Sequence, residues 1–144
     1  MDLNLIILGA RRKDCIQMKE CNERNLSENY PLHYYQDIMQ NFPKKSFILC
    51  DHNRNIYGYI MAINDCIVSF AIDKQQRGNK FGDALFKKCI DACTNSFITL
   101  HVRKSNEIAI KLYSKYGFSI IEENKEYYDN PKENAYTMEK KFKK

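Results

Sequence analysis

The segment from residue 66 to residue 102 constrains the fold of this chain more than any other stretch. Cys66–Ile72 is rich in apolar and β-branched residues and predicts a strand, and residues 73–80 form a polar loop that contains Gly78. Apolar residues then recur at the four-residue spacing of one helix face: Phe81, Leu85, Cys89 and Cys93. Residues 97–102 are short and apolar and predict a buried strand. Together these elements predict a βαβ unit within a mostly antiparallel sheet.

The rest of the chain supplies strands and helices around this unit. Further strands are predicted at residues 3–8, 46–51, 56–63, 118–122 and 136–142. Further helices are predicted at residues 13–22 and 31–40, and over a segment that Ser105 caps and Gly117 ends. Asn64 and Asp65 fit a two-residue hairpin. The predicted order is β-α-α-β-β-β-α-β-α-β-β, an α/β chain with a mixed sheet.

Length and composition predict one globular domain. The chain has 144 residues, of which 44% are hydrophobic and 28% charged, so we expect residues 1–144 to form a single domain. No apolar run approaches the roughly 20 residues of a membrane span. Residues 5–8 lack the flanks of a signal peptide. We therefore expect a cytoplasmic protein without membrane association.

The charge distribution argues against a nucleic-acid partner. The formal net charge is +5, and four positive charges fall near the end of the chain, at Lys140, Lys141, Lys143 and Lys144. Without these four the balance is +1, which does not predict a nucleic-acid-binding face. Six cysteines form no C-x-x-C pair, and three histidines lack zinc-finger spacing, so we expect no metal site and reduced thiols.

The loop before the third predicted helix is a candidate phosphate site. The first amides of a helix have no intrahelical partner and attract anions. Gly78 lets the backbone approach a ligand closely, Gly82 keeps the helix start free of a side chain, and Arg77 and Lys80 add positive charge. An ordinary basic turn with two glycines explains the same residues.

Three other segments offer chemistry, each beside a simpler explanation. His101 could relay a proton near neutral pH, or it could be a packed histidine. Tyr113 could donate a proton into a cleft, or it could belong to the core. The loop around Glu28, with Tyr127 and Tyr128 far along the chain, could line a binding site or be solvated surface.

Together these segments resemble the GNAT superfamily of acetyl-CoA-dependent N-acetyltransferases. In that family a loop of the form Arg/Gln-x-x-Gly-x-Gly/Ala holds the CoA pyrophosphate, and residues 77–82 fall in its place. The predicted element order agrees over essentially the whole length. The resemblance implies the GNAT acyl-CoA N-acyltransferase fold, acetyl-CoA as cofactor with CoA as product, and no metal.

Within the superfamily, the sequence is similar to the catalytic subunits of NatA, the eukaryotic N-terminal acetyltransferase. The similarity is carried by Leu26 and by residues 21–22, 28–30, 34–35, 100–106, 112–114, 127–128 and 133–138. It implies co-translational acetylation of the α-amino group of protein N-termini. It also implies association with the ribosome and a helical-repeat auxiliary subunit docked along the first helices. There Met18, Ile38 and Met39 are either interface or core residues.

The resemblance also implies roles for individual residues. The expected cofactor-binding residues are Phe70, Ala71, Ile72, Arg77, Gly78, Asn79, Lys80, Phe81, Gly82, Asn106 and Tyr113. Backbone amides of residues 77–82 would bind the pyrophosphate, and Ile72 would pair with the pantetheine arm. The expected peptide-binding residues are Leu26, Glu28, Tyr30, Arg103, Tyr127 and Tyr128. The candidate catalytic residues are Glu28, His101 as a base, and Tyr113 as the acid for the leaving thiolate.

Three departures from the family pattern stand beside other possible functions. Lys80 replaces the central glycine of the loop, and Ser27 stands where the subfamily commonly has proline. The Asn64–Asp65 hairpin is much shorter than in typical NatA subunits. The loop spacing also resembles acetyltransferases that act on amino-sugar phosphates, and a RimI-like activity on ribosomal proteins is a nearer alternative. A third possibility is an acyl-CoA-binding module without activity, which Lys80 alone supports.

Overall fold

One mixed sheet organises the residues that the computed structural model describes, 4–143. Its strands lie in the order β1-β2-β3-β4-β5-β7-β6. The strands are β1 (Ile6–Gly9), β2 (Phe47–Cys50), β3 (Ile56–Ile63), β4 (Cys66–Ile72), β5 (Phe97–Arg103), β6 (Ser119–Asp129) and β7 (Lys132–Lys141). The α-helices are α1 (Cys15–Asn25), α2 (Leu32–Asn41), α3 (Phe81–Asp91) and α4 (Glu107–Lys115).

The order of helices and strands agrees with the sequence prediction, and the differences are local. The predicted start of the first strand, Leu3, lies outside the described residues. Asn106, not Ser105, caps α4, since its Oδ1 accepts a hydrogen bond from the amide of Ala109 at 3.1 Å. The amide of Ser105 instead donates to Glu133 at 2.6 Å. No helix between residues 4 and 143 is long and apolar enough to cross a membrane.

Two hydrophobic clusters cover the two faces of the sheet. Successive residues of a strand point to opposite faces, so Leu49 packs against α3 and α4 while Ile48 packs against α1 and α2. Met18, Ile38 and Met39 are buried in the α1–α2 cluster, which resolves the open choice between interface and core in favour of core.

A cleft opens between β4 and β5, the two adjacent parallel strands. They pair only through Cys66 with Thr99 and Ile67 with Leu100. On the other side of β4, Met61 faces Ser69 while Ala62 faces Ile67, which leaves Val68 as an extra residue. Such a bulge bends its strand. Residues 69–72 therefore have no β5 partner among the residues described.

Candidate active site

The first turn of α3, where the sequence predicts a phosphate site, follows the end of β4 that has no β5 partner among the described residues. The backbone of Gly78 has φ +83° and that of Lys80 has φ +62°, so both lie in the left-handed region that favours glycine. Lys80 is the N-cap of α3, and no side chain caps the helix there. The first-turn amides of α3 are therefore left for an anion.

Gly82 has a packing role that its sequence position does not predict. It is buried, and a Cβ at this position would lie 2.0 Å from the Tyr116 hydroxyl oxygen and 3.4 Å from Cζ of Phe70. Glycine is therefore required here because α3 packs closely on the end of α4, in addition to any approach by a ligand.

The Arg77 side chain turns back onto the protein. Its Nε donates to the carbonyl of Ile72 at 2.9 Å, and its guanidinium donates to Oδ1 of Asn25 at 3.0 Å. These two hydrogen bonds hold the loop against the end of β4 and against α1. The carbonyl of Ile72, where pairing with a pantetheine arm was expected, already accepts this bond. Lys80 remains exposed at the helix start.

Tyr113 and Asn106 lie on α4, across the cleft from β4. Tyr113 is half-buried and packs against an aromatic group of Phe70, Phe86 and Phe118. Burial, with smaller contributions from Tyr59 and Tyr30, raises the pKa of Tyr113 well above its usual range. The tyrosine is thus both a packing residue and a protonated hydroxyl. Oδ1 of Asn106 is engaged as the helix cap, which leaves its amide nitrogen for a ligand.

Arg103 joins the two loops that flank the other face of the sheet. Its Nε donates to Glu28 of the α1–α2 loop, and its NH1 donates to Glu133 at 3.4 Å and to the Pro131 carbonyl at 2.9 Å in the β6–β7 hairpin. The guanidinium also lies 4.2 Å from the ring centre of Tyr128. The structure therefore brings together four predicted site features, Glu28, Arg103, Tyr127 and Tyr128, that are far apart in sequence.

Both loops also contribute aromatic rings to this face of the sheet. Tyr30 stacks on Tyr34 with centroids 4.6 Å apart, and Tyr127 stacks on His101 at 4.8 Å. Burial raises the pKa of Tyr34 to about 12, so its hydroxyl stays protonated at neutral pH. Leu26, which follows α1 as its C-cap, is exposed in the same loop as Glu28.

His101 lies in a groove of about 460 Å³ that follows the N-terminal halves of β4 and β5. Among the groove residues are Ile63, Cys66, Phe97, Thr99, His101 and Tyr127. Burial lowers the pKa of His101, and the negative charge of Glu122 opposes this effect only in part. The imidazole is therefore neutral at pH 7 and has one ring nitrogen free to accept a proton.

Several contacts of the site involve residues to which the sequence analysis assigns no individual role. Glu133 and Tyr34 contact predicted site residues, and Cys66 lies 4.0 Å from Nδ1 of His101. Behind the bulge, the hydroxyls of Tyr59 and Ser69 are 2.5 Å apart and Asn22 donates to Tyr59 at 2.9 Å. The sole sequence hint to Cys66 is that it begins one strand of the βαβ unit and that Thr99 and His101 lie on the other strand of that unit.

Comparisons with known proteins agree with this geometry. A family model described as an acetyltransferase (GNAT) domain matches residues 17–138. The N-terminal acetyltransferase complex ARD1 subunit homolog of Dictyostelium discoideum is 35% identical over 137 residues, which cover 87% of this chain and 67% of that protein. The N-alpha-acetyltransferase daf-31 of Caenorhabditis elegans is 31% identical over 143 residues, covering 90% of this chain and 78% of that protein.

A solved structure has the same fold throughout. The crystal structure of Ard1 from Thermoplasma volcanium superposes with a TM-score of 0.86 at 25% identity. The superposition covers 99% of this chain and 100% of that one. The split sheet and the loop at the start of α3 thus belong to an architecture that a related protein shares along its whole length.

Proposed function

This chain belongs to the GNAT acetyltransferase family, and from that premise we propose that it acetylates the α-amino group of protein N-termini. The family assignment makes it an acetyl-CoA-dependent N-acetyltransferase. The choice of a peptide amine as acceptor rests on one observation. Arg103 ties the Glu28 loop to the β6–β7 hairpin, and Tyr127 of that hairpin stacks on His101 in the groove.

The residues present fit acetyl-CoA, the source of the acetyl thioester. The uncapped amides at the start of α3 would hold the pyrophosphate, and the exposed ammonium of Lys80 would add charge. Phe70 and Ala71, on the stretch of β4 that lacks a β5 partner, would line the pantetheine arm. Asn106 and Tyr113 would lie near the sulfur from the α4 side of the cleft. Phe81 and Asn79 complete the loop.

On the opposite face, the chain's own residues would bind the peptide and remove its proton. Glu28, Tyr30 and Leu26 would contact the first residue from one side, and Tyr127 and Tyr128 from the other. An α-amine has a reference pKa near 8, so only modest help is needed to make it neutral. His101 would accept that proton, since its ring is neutral at pH 7, and the protonated Tyr113 would donate one to the leaving sulfur.

We further propose NatA-type activity at nascent chains in the cytoplasm, with an auxiliary subunit. The two relatives named as an N-alpha-acetyltransferase and as a subunit of an N-terminal acetyltransferase complex support this choice. Because Met18, Ile38 and Met39 are buried, a helical-repeat partner along α1 and α2 would contact exposed residues such as Ile16, which is 60% exposed. Association with the ribosome would follow from that partner.

Acetyl transfer from labelled acetyl-CoA tests the acceptor. A peptide panel would begin with Ser, Ala, Asp, Glu or Met, and glucosamine 6-phosphate would serve as the control acceptor. We expect transfer to the peptides that begin with Ser or Ala, or with Asp or Glu. Transfer to the sugar alone would overturn the proposed acceptor, and tight CoA binding without any transfer would overturn the proposed activity.

A further inference from the structure

Cys66 and His101 lie side by side on the wall of the groove. Sγ of Cys66 is 4.0 Å from Nδ1 of His101. Cys66 pairs with Thr99 in the parallel ladder, and Thr99 and His101 point to the same face because they are two residues apart. Cys66 is half-buried, whereas the other five cysteines, all within the described residues, are buried. The contact therefore lies at the site and not in the core.

Each group of the pair carries one proton, so the place to which the thiol proton is donated decides the direction of their hydrogen bond. Burial raises the pKa of the Cys66 thiol and lowers that of His101, so both groups are neutral at pH 7 and each carries one proton. The thiol lies 3.9 Å from the carbonyl oxygen of Ile67, to which its proton can be donated. The sulfur lone pairs are then left to accept from two donors, the Thr99 hydroxyl, whose hydrogen bond lowers the pKa of the thiol, and Nδ1–H of His101, which is within reach.

We propose that Cys66 is a positioning residue that accepts a hydrogen bond from Nδ1–H of His101. This bond holds the imidazole proton on Nδ1 and leaves Nε2 as the proton acceptor. In the reaction, the proton of the substrate amine passes to Nε2, and the imidazolium keeps Nδ1–H on the sulfur. The thiol proton does not move. The role in catalysis rests on the proposed function, but the tautomer of His101 does not.

Other groups around the ring are compatible with this arrangement. Tyr127 of β6 stacks on the imidazole and contacts its face, so it leaves both nitrogens in the ring plane accessible. Tyr34 of α2 approaches Cys66 and Tyr127 as a neutral phenol. Glu122 of β6 acts on the ring through its negative charge. Among the described residues, Cys66 is the hydrogen-bonding partner that the structure gives His101.

Nitrogen-15 NMR of histidine-labelled protein tests the tautomer directly. The chain has three histidines, and a His101→Gln variant assigns the signal. We expect the proton of neutral His101 on Nδ1 in the wild type and in Cys66→Ser, whose hydroxyl can also accept the bond. In Cys66→Val, which has no acceptor, we expect the proton to move to Nε2. Cys15→Ala, a change at a buried thiol on α1, serves as the matched control and keeps the wild-type tautomer.

Steady-state kinetics on the same variants link the tautomer to the reaction. Losing one modest hydrogen bond corresponds to a roughly two- to tenfold effect. We expect Cys66→Val to lower kcat by that factor with little change in the KM for acetyl-CoA, and Cys66→Ser to restore most of the rate. A purely structural role for Cys66 would change thermal stability and leave the tautomer as it is.

Three outcomes would overturn this inference. The proton of wild-type His101 could lie on Nε2, the tautomer could be the same in Cys66→Val, or the tautomer could change without any change in kcat. Absence of peptide acetylation by the wild type, together with an Nδ1 proton that Cys66→Val shifts, would instead count against the proposed function while the bond itself stands.

Discussion

Lys80 carries a backbone conformation that glycine adopts without cost. Its φ of +62° explains why a glycine at this place in the loop is usual in the resembled family, and a left-handed residue with a Cβ costs about 1–2 kcal/mol. Its exposed ammonium stands at the start of α3, where an anion is expected. Lys80 in place of glycine thus costs backbone strain and adds a positive charge where an anion is expected.

Lys80→Gly separates these two effects. We expect the free energy of unfolding to rise by roughly 0.5–1 kcal/mol, because relief of strain exceeds the added entropy of the unfolded chain. We expect acetyl-CoA to bind about two- to fivefold more weakly, as for loss of an exposed charge. Urea unfolding and calorimetry measure both. Asn79→Gly is the matched control for stability, since Asn79 has no positive φ and should lose stability where Lys80→Gly gains it.

Glu28 is held by Arg103, so its charge affects both the loop and the peptide site. We expect Glu28→Gln to lower kcat/KM for the peptide roughly tenfold, because a charged hydrogen-bond acceptor is lost. Acetyl-CoA affinity should stay near the wild-type value. Steady-state kinetics with varied peptide measure the first quantity, and equilibrium binding of acetyl-CoA measures the second.

Glu133→Gln is the informative comparison for Glu28. It alters a second carboxylate on Arg103, at 3.4 Å, without touching the α1–α2 loop. If both variants lower kcat/KM for the peptide by the same factor, Glu28 serves to anchor Arg103 and does not bind the substrate. Unchanged peptide kinetics in Glu28→Gln would remove that residue from the site.

At the level of elements, the contact between α3 and α4 depends on a missing side chain. A Cβ at Gly82 would lie 2.0 Å from the Tyr116 hydroxyl oxygen and 2.9 Å from Cζ of its ring. Tyr116 cannot withdraw freely, because its ring packs on Phe86 with centroids 4.5 Å apart. The start of α3 and the end of α4 therefore hold each other in place beside the phosphate-binding loop.

Gly82→Ala should lower the free energy of unfolding by about 1–3 kcal/mol, the usual cost of overpacking. The double variant Gly82→Ala/Tyr116→Phe should recover part of that loss, since the oxygen at 2.0 Å is gone while Cζ at 2.9 Å remains. Thermal unfolding of the single and double variants measures the coupling. Gly9→Ala on β1, where a new Cβ meets nothing within 4 Å, is the control. Equal losses in the single and double variants would contradict the steric explanation.

For the molecule as a whole, Asp65 links the short β3–β4 hairpin to the turn before β5 and to β2. Its carboxylate accepts from Lys45 at 2.9 Å, from the amide of Asn95 at 2.8 Å and from Thr94. Burial alone would raise the pKa of Asp65, but the Lys45 ammonium and these amides outweigh burial and hold it well below its usual range.

The lowered pKa sets the sign of the pH dependence. The folded state binds the proton of Asp65 less well than the unfolded chain does, so the carboxylate stabilises the fold above about pH 4. That contribution is lost as the pH falls below this value. Urea unfolding between pH 7 and pH 3 should show stability declining at the acid end.

Asp65→Asn should lower stability at pH 7 by roughly 2–4 kcal/mol, because Lys45 loses its partner in a partly buried position. The variant should also show a smaller loss of stability between pH 7 and pH 3 than the wild type. Asp37→Asn, at an exposed position on α2, is the control and should leave both quantities unchanged. An acid profile of Asp65→Asn identical to that of the wild type would contradict this assignment.

The sequence by itself determined the type and order of the elements. Helical spacing in α3, β-rich runs in β3 and β4, and the two-residue turn at Asn64 and Asp65 are local signals, and the structure reproduces them. The family resemblance followed from the same ordered segments. Local periodicity suffices here because helices and strands must bury one face, so apolar residues recur along the chain at the period of each element.

Only the tertiary structure decided which side chains meet. Glu28 reaches Arg103 across 75 residues, Gly82 is small because Tyr116 occupies its space, and Cys66 touches His101 because of the register of β4 with β5. Strand register, the bulge at Val68 and the packing of two helices set these contacts. None of them repeats with a period along the chain, so no local pattern in the sequence could reveal them.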